Sequence, residues 1–337
     1  MRNAAAMKAL VYTGPNQLVF RDEPSPVPEP GELLVRVEAV GICGSDMHAY
    51  HGYDARRPPP LILGHEAAGR IVGGKRDGER VTINPLVVDP ACPYAAEGRW
   101  HLSPTRQIIS MPPRPGAFAE FVRIPERNVV PIPASLPSEH AALAEPVAVA
   151  WHAVRIGMEK LHRPLASARV VVLGGGAIGL ACALVARLFG AGEIRVAETN
   201  PLRRRTLEAE PGIGVYTPGD AAEPAENGVD LVLDAVGADA TRTAACRLVR
   251  PGGMIVHIGL LPGTEGLDIR KITLQEITLS GSYCYTPSDF IDTVGALVAG
   301  RLGTLAWTEE RALSEGADAF RALDSGTAAA AKIVLRA

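Results

Sequence analysis

The stretch "ARVVVLGGGAIGLACALVARLFGAGEIRVAETN", residues 168–200, constrains the fold of this 337-residue chain more than any other. A β-branched run ends on a glycine cluster, an alanine- and leucine-rich helical pattern follows, and a second strand pattern closes the unit. Strand, crossover helix and strand in that order place two parallel strands in one sheet. Further strand patterns at "VDLVLDAVG", "GGMIVHIGL" and "ITLSGSYCY", separated by helical stretches, extend it to a doubly wound α/β sheet.

The glycine cluster gives that sheet a ligand. In "GGGAIG", Gly174, Gly176 and Gly179 fit a dinucleotide turn: a tight bend, close approach of backbone to pyrophosphate, and close packing of helix on strand. Gly174, Gly176, Ala177, Ile178 and Gly179 are the expected cofactor contacts, with the helix N-terminus supplying N–H donors to the phosphates. Glu198 ends the second strand, where a carboxylate accepts from ribose hydroxyls and repels a 2′-phosphate, so NAD is expected over NADP. Arg203, Arg204 and Arg205 pull the other way as phosphate partners, or form a solvated helix start with one guanidinium, Arg203, on the adenine.

The chain before this unit has a different character. From Met7 to about Ile132, short apolar runs broken by Pro and Gly ("MKALVY", "ELLVRVEAVG", "GRIVG", "ERVTIN", "FAEFVRI") predict a β-rich, barrel-like region. "SEHAALAEPVAVAWHAVRIG" predicts one linking helix with Ser138 as its N-cap. Near the C-terminus, "SDFIDTVGALVAGRL" and "ALSEGADAFRAL" predict helices, and "AKIVLRA" a strand returning to the first region.

Composition narrows the partners. A net charge of −3 with dispersed arginines offers no electrostatic footprint for nucleic acid. No segment approaches the roughly 20 apolar residues of a membrane span. Five scattered cysteines argue against a disulfide framework, and "MRNAAAMKAL" lacks the apolar core of a leader, so a cytoplasmic protein with a small-molecule partner is expected.

Three stretches carry metal-ligand residue types: "GICGSDMHAYHG", "LGHEAAGRIVG" and "LAEPVAVAWHA". With "GHE" and "GGGAIG" in this order, nearly the whole chain from Met7 resembles the zinc-dependent medium-chain dehydrogenases, the group holding alcohol, sorbitol, threonine and idonate dehydrogenases. The resemblance implies an α/β protein with a GroES-like β-rich catalytic domain, residues 1–147 and 286–337, and an NAD-binding Rossmann domain, residues 148–285. It implies a homodimer or homotetramer acting on a secondary alcohol or polyol. It implies one catalytic zinc held by Cys43, His65 and an acidic ligand, for which Glu66 and Glu145 both stand as candidates, a donor mixture that suits Zn²⁺ with one position open. Ser45 is similar to the hydroxyl that meets the substrate oxygen, and His48 to the distal end of a proton relay, with Glu66 at the reacting centre. Asp46 is expected either behind a ligand histidine or as a helix cap. His51 is expected on the loop surface and Tyr50 in the substrate cleft.

Two departures from the family pattern matter. Many members carry four cysteines around a structural zinc, and the corresponding positions here are Asp89, Cys92, Ala95 and Ser103, so no structural zinc is expected. Sorbitol-type members tend to have an arginine where Cys284 stands. A thiol offers little to a row of hydroxyls or to a carboxylate, which favours a simple secondary alcohol or short polyol unless Tyr283, Tyr285 or Tyr50 supplies its phenol. Rival expectations are a zinc-free NADPH-dependent quinone or enoyl reductase and a non-catalytic nucleotide-binding protein. Purified protein is expected to hold about one zinc per chain, and Cys92→Ala to leave metal content unchanged. Elemental analysis showing two per chain would overturn both statements.

Overall fold

The computed structural model describes residues 6–337. The first five residues of the expected catalytic span, and with them half of the segment used to judge a leader, lie outside the described residues. Among the described residues, no helix is long and apolar enough to cross a membrane.

The N-terminal part is built on a seven-stranded sheet. Its strand Glu32–Gly41 pairs antiparallel with Glu66–Val72, with Phe121–Pro125 and with Lys332–Arg336. The last of these comes from the far end of the chain, and its other edge pairs in parallel with Thr308–Ala312. A second small sheet, with Ala6–Gly14 at its centre, packs over a core of Leu10, Val35, Ile71, Phe118 and Phe320. Alternating burial along Glu32–Gly41 explains why its pattern is legible as a strand with one face on a core.

The middle of the chain forms a six-stranded parallel sheet: Gly214–Tyr216, Glu193–Ala197, Arg169–Leu173, Val229–Asp234, Val249–His257 and Thr278–Gly281, in spatial order. This is the doubly wound order in which the third strand precedes the second and first, and the crevice at the switch point takes a dinucleotide. Every residue of Val229–Asp234 is buried, because helices cover both faces of the sheet. At the first turn, Gly174 has φ +93°, a left-handed conformation that glycine adopts without strain. A Cβ on Gly179 would meet the Gly174 carbonyl oxygen at 1.7 Å, so the helix Ala177–Leu188 can lie this close to the turn only with glycine there.

One linking helix was expected, and there are two, Ser138–Ala141 and Ala144–Glu159. Ser138 is not the N-cap: Pro137 holds that position, and the Ser138 hydroxyl donates to Glu38 at 2.5 Å. Half-buried Glu38, beside Arg80, offers that hydroxyl a charged acceptor, a stronger partner than a free backbone amide. The break between the two helices sets Glu145 on the first turn of the longer one, facing the metal-ligand residues described below. The helix Pro287–Val298 packs on Ala144–Glu159, and one continuous core runs from Leu136 through both into the parallel sheet.

The lobe of residues 89–103 holds its shape through turns. The Ala91 amide donates to the Asp89 carboxylate at 2.9 Å, Cys92 starts the short helix Pro93–Ala96, and Gly98 takes φ +72°. His101 docks the lobe on the long helix, its ring edge-on to His152 with centroids 4.8 Å apart. Burial, with His152 beside it, pushes the His101 imidazole down to about 4. Unfolded, that ring takes a proton near its ordinary value, whereas folded it stays neutral until far lower pH. Its contribution to stability is therefore fully present above about pH 6.5 and is lost as pH falls toward about 4. Thermal unfolding of His101→Asn should show a smaller fall in Tm between neutral pH and about pH 5 than the wild type. An equal fall in both proteins would show that His101 is not the group responsible.

Candidate metal centre and cofactor turn

Cys43 ends the link from Glu32–Gly41 and sits at the N-cap of the helix Gly44–Tyr50. His65 and Glu66 open the strand Glu66–Val72, directly across the pairing from Gly41. The Cys43 thiol, a His65 ring nitrogen and a Glu66 carboxylate oxygen lie within 4.8 Å of one another, the one such group of three or more potential ligands among the described residues.

Each member is oriented by something behind it. The Asp46 carboxylate accepts from the Cys43 amide at 3.0 Å and the Gly64 amide at 3.3 Å, and one oxygen stands 3.5 Å from His65 Nδ1. Asp46 thus both caps the helix and backs the histidine; the two expected roles are compatible. Burial works to raise the Asp46 pKa, but His65, Arg57 and the Cys43 amide outweigh it and hold the carboxyl at about 2. For His65, burial opposes the charged form, yet Asp46 and the Cys43 thiol raise its pKa well above the ordinary range. Glu66 Oε1 accepts from Lys332 Nζ at 2.6 Å, and both side chains are buried. The second oxygen, Oε2, has no partner and occupies the space a Cβ on Gly41 would fill, 2.0 Å from that position.

The structure brings Glu66 into the ligand group and sets Glu145 behind it. Glu145 is buried and accepts from the Tyr285 hydroxyl at 3.0 Å, and burial, with the Glu66 charge nearby, pushes its carboxyl up to about 7. The phenol of Tyr285 is therefore occupied. Tyr50 differs from expectation: it is buried against Phe320, ring centroids 5.3 Å apart, and belongs to the core of the N-terminal part, where its ring finds an aromatic partner. His51 follows the helix on the surface and pairs with Asp324 at 2.7 Å. Ser45 and His48, three residues apart on one helical turn, are half-buried on the same face. Burial lowers the His48 pKa, Asp54 opposes this, and His51 and Arg57 add to it.

At the nucleotide turn, Gly176 is the N-cap of the helix Ala177–Leu188, with Ala177, Ile178 and Gly179 in its first turn. Glu198 is buried and accepts from the Gly175 amide at 2.9 Å and the Asn200 amide at 2.7 Å, so its carboxylate buttresses the turn. Arg204 donates to the Thr199 carbonyl at 2.8 Å, while Arg203 is half-buried on the first turn of Pro201–Glu208.

Three participating residues were not singled out from the sequence. Lys332 neutralises Glu66 and also donates to the Ile42 carbonyl at 2.8 Å. A lone lysine inside the apolar run "AKIVLRA" was the available signal, since a buried amine in a strand demands a partner. Arg57 is buried and donates to the Ser45 and Ser110 carbonyls at 2.6 and 3.0 Å. Arg106 lies over the Tyr283 ring, 4.7 Å from its centroid. Nothing in the linear order distinguishes either arginine from its neighbours.

A half-buried thiol with a buried imidazole and carboxylate, beside a dinucleotide-type sheet, defines the two-part, metal-centred class of dehydrogenases. Family comparison agrees: residues 29–134 match the alcohol dehydrogenase GroES-like domain and residues 177–299 match zinc-binding dehydrogenase. L-galactonate-5-dehydrogenase of Escherichia coli is 33% identical over 309 residues, covering 88% of each chain. Sorbitol dehydrogenase of Bacillus subtilis is 35% identical, covering 83% of this chain and 82% of that protein. A solved zinc-binding dehydrogenase of Sinorhizobium meliloti, bound to NADP, superposes with a TM-score of 0.88 at 30% identity over 99% of this chain and 100% of that one. The chain belongs to the zinc-dependent medium-chain dehydrogenase family, a group of alcohol and polyol oxidoreductases.

The geometry separates the two acidic candidates. Glu66→Gln removes a charged donor from the ligand group, and zinc affinity should fall by about tenfold or more; Glu145→Gln should leave it within about threefold. Competition with a chelator reads both, and the reverse order would exchange the two roles.

Proposed function

We propose that the protein transfers a hydride between a secondary alcohol or polyol and NAD, using one zinc held by Cys43, His65 and Glu66. The observation that carries this is the ligand group itself, which leaves the buried Glu66 Oε2 without a hydrogen-bond partner. A mixed thiolate, imidazole and carboxylate set suits Zn²⁺, and the Gly41 cradle gives the unpartnered carboxylate oxygen room to meet an ion. When bound, a zinc there supplies a Lewis acid for negative charge developing on the alcohol oxygen.

The chain's own residues do the rest. Asp46 and Lys332 fix the charge and orientation of His65 and Glu66. Ser45 takes the proton from the alcohol and passes it toward His48, whose depressed pKa suits it to release that proton near neutrality. Gly174, Gly176, Ala177, Ile178 and Gly179 cradle the pyrophosphate, Glu198 meets the adenosine ribose, and Arg203 covers the adenine. Residues 1–147 with 286–337 serve as the catalytic unit and 148–285 as the NAD-binding unit. Among the described residues the outer strand Thr278–Gly281 leaves one edge unpaired and exposes Leu279, which supports a homodimer or homotetramer. The ligand group weighs against a zinc-free quinone or enoyl reductase, in which those three residues would have no partner. A purely nucleotide-binding role would leave the same group without a task.

With zinc-loaded enzyme, kcat/KM should favour NAD over NADP by about tenfold or more, and Glu198→Ala should narrow the ratio. A preference for NADP, the cofactor seen in the Sinorhizobium meliloti protein, would transfer the selection to Arg203 and its neighbours. Ser45→Ala should lower kcat by about 10² with zinc content unchanged. NAD binding with no turnover on any secondary alcohol or polyol would favour the non-catalytic alternative.

A further inference from the structure

Taking the oxidoreductase reading above as its basis, we propose that Arg106 determines specificity for a polyhydroxy acid, an aldonate, by pairing with its carboxylate while a secondary alcohol of the same molecule lies at the metal centre. The thiol of Cys284 suggests a cleft poor in polar partners. The structure places a cation beside it on a different segment.

Two anchored segments hold Arg106 near the centre. On one, the Ser110 hydroxyl reaches Asp46 at 3.5 Å, and Arg106 lies four residues upstream, a span of at most roughly 14 Å. On the other, Tyr285 donates to Glu145 at 3.0 Å, and Tyr283 lies two residues upstream, at most roughly 7 Å away. The segments meet where the Arg106 guanidinium lies on the Tyr283 ring, its Nε 3.4 Å from the phenolic oxygen. Cys284 sits between the two tyrosines at φ +48°, a left-handed backbone rare for a residue with a side chain. That bend turns the two rings to different neighbours. The charges of Glu145, Arg106 and Cys43 all reach the Cys284 thiol, which burial pushes up to about 12 and so keeps neutral.

Arg106 is also the cation left over at this edge. Arg56 is closed on Asp54, with Nε and Nη2 at 2.8 and 2.9 Å from the two carboxylate oxygens. Arg57 spends its donors on two backbone carbonyls and leans on the same Asp54. Arg106 donates to the Ser103 carbonyl at 2.8 Å and has no carboxylate within ion-pair distance among the described residues. A half-buried guanidinium held over an aromatic ring, with Nε and Nη1 each engaged once and Nη2 free, is prepared to take a carboxylate on its Nη1–Nη2 side. A neutral alditol of the same length offers only hydroxyls to the same charge. A single guanidinium matches a carboxylate's one negative charge, whereas a phosphate dianion would call for further donors.

The test compares L-galactonate and L-idonate with galactitol, sorbitol and a hexitol phosphate on the zinc-loaded enzyme with NAD. The wild type should prefer the aldonates by about tenfold to hundredfold in kcat/KM. Arg106→Gln should raise the aldonate KM by about tenfold or more with little change in kcat, leave the alditols within about threefold, and Arg106→Lys should recover part of the loss. Equal or better use of alditols or of the hexitol phosphate by the wild type overturns the proposal. So does an Arg106→Gln variant that slows all substrates equally, since that marks a structural role for the loop. Calorimetry of L-galactonate onto the enzyme with NADH reads binding without turnover. Binding lost in Arg106→Gln supports the carboxylate contact even if neither class is oxidised, a result that would instead remove the dehydrogenase reading; absence of aldonate binding to the wild type overturns the proposal directly.

Discussion

The ion pair between Glu66 and Lys332, 2.6 Å long and buried at both ends, is the contact on which the rest of the site depends. A carboxylate can serve as a ligand in an enclosed place only if its charge is tolerated there, and removing one partner of a buried pair costs about 3–5 kcal/mol. The same demand recurs around it. Asp46 is charged because His65, Arg57 and backbone amides surround it, and Glu145, with only a phenol against it, is held near neutrality by burial. The three carboxylates of the cluster thus differ in what faces them: Asp46 and Glu66 meet cationic partners, and Glu145 meets a phenol.

Much of the fold was legible because its periods are strong. The β-branched runs at Arg169–Leu173 and Val229–Asp234 are buried on both faces and show no alternation, so only a covered parallel sheet accounts for them. Cys43, His65 and the glycines of the turn were legible because their chemistry demands particular residue types at close spacing. The segment Ser138–Glu159 was less so: a helical period survives a break of two residues, and a serine before a helix has other acceptors when a charged one lies across the sheet. Tyr50 was misplaced because its aromatic partner, Phe320, lies 270 positions away and leaves no mark on the local pattern. Arg57 and Arg106 lay beyond sequence because their roles come from tertiary neighbours 12 and 177 positions away, whereas Lys332 stood out in its apolar run but its partner lies 266 positions away.

The lobe of residues 89–103, with Cys92 as its one cysteine, is held by ordinary turn and ring contacts. Turn hydrogen bonds and the edge-on contact of His101 with His152 fix it to the long helix. From that support the chain runs directly to Arg106 and Ser110, delivering one side chain to Tyr283 and another to Asp46. The anchorage of the lobe on the helix is thus linked, through the short stretch up to Ser110, to both Tyr283 and Asp46.

The return of Lys332–Arg336 to the sheet of Glu32–Gly41 has a consequence for biosynthesis. A ribosome delivers the chain in order, and units made first begin to fold first. Here the sheet that holds Cys43, His65 and Glu66 waits for a strand made after the entire nucleotide-binding half. Until then its edge is open and Glu66 lacks its counter-ion, so a nascent chain has reason to complete the parallel sheet before the metal centre. The ligand group with its counter-charge is therefore complete only when both ends of the chain have met.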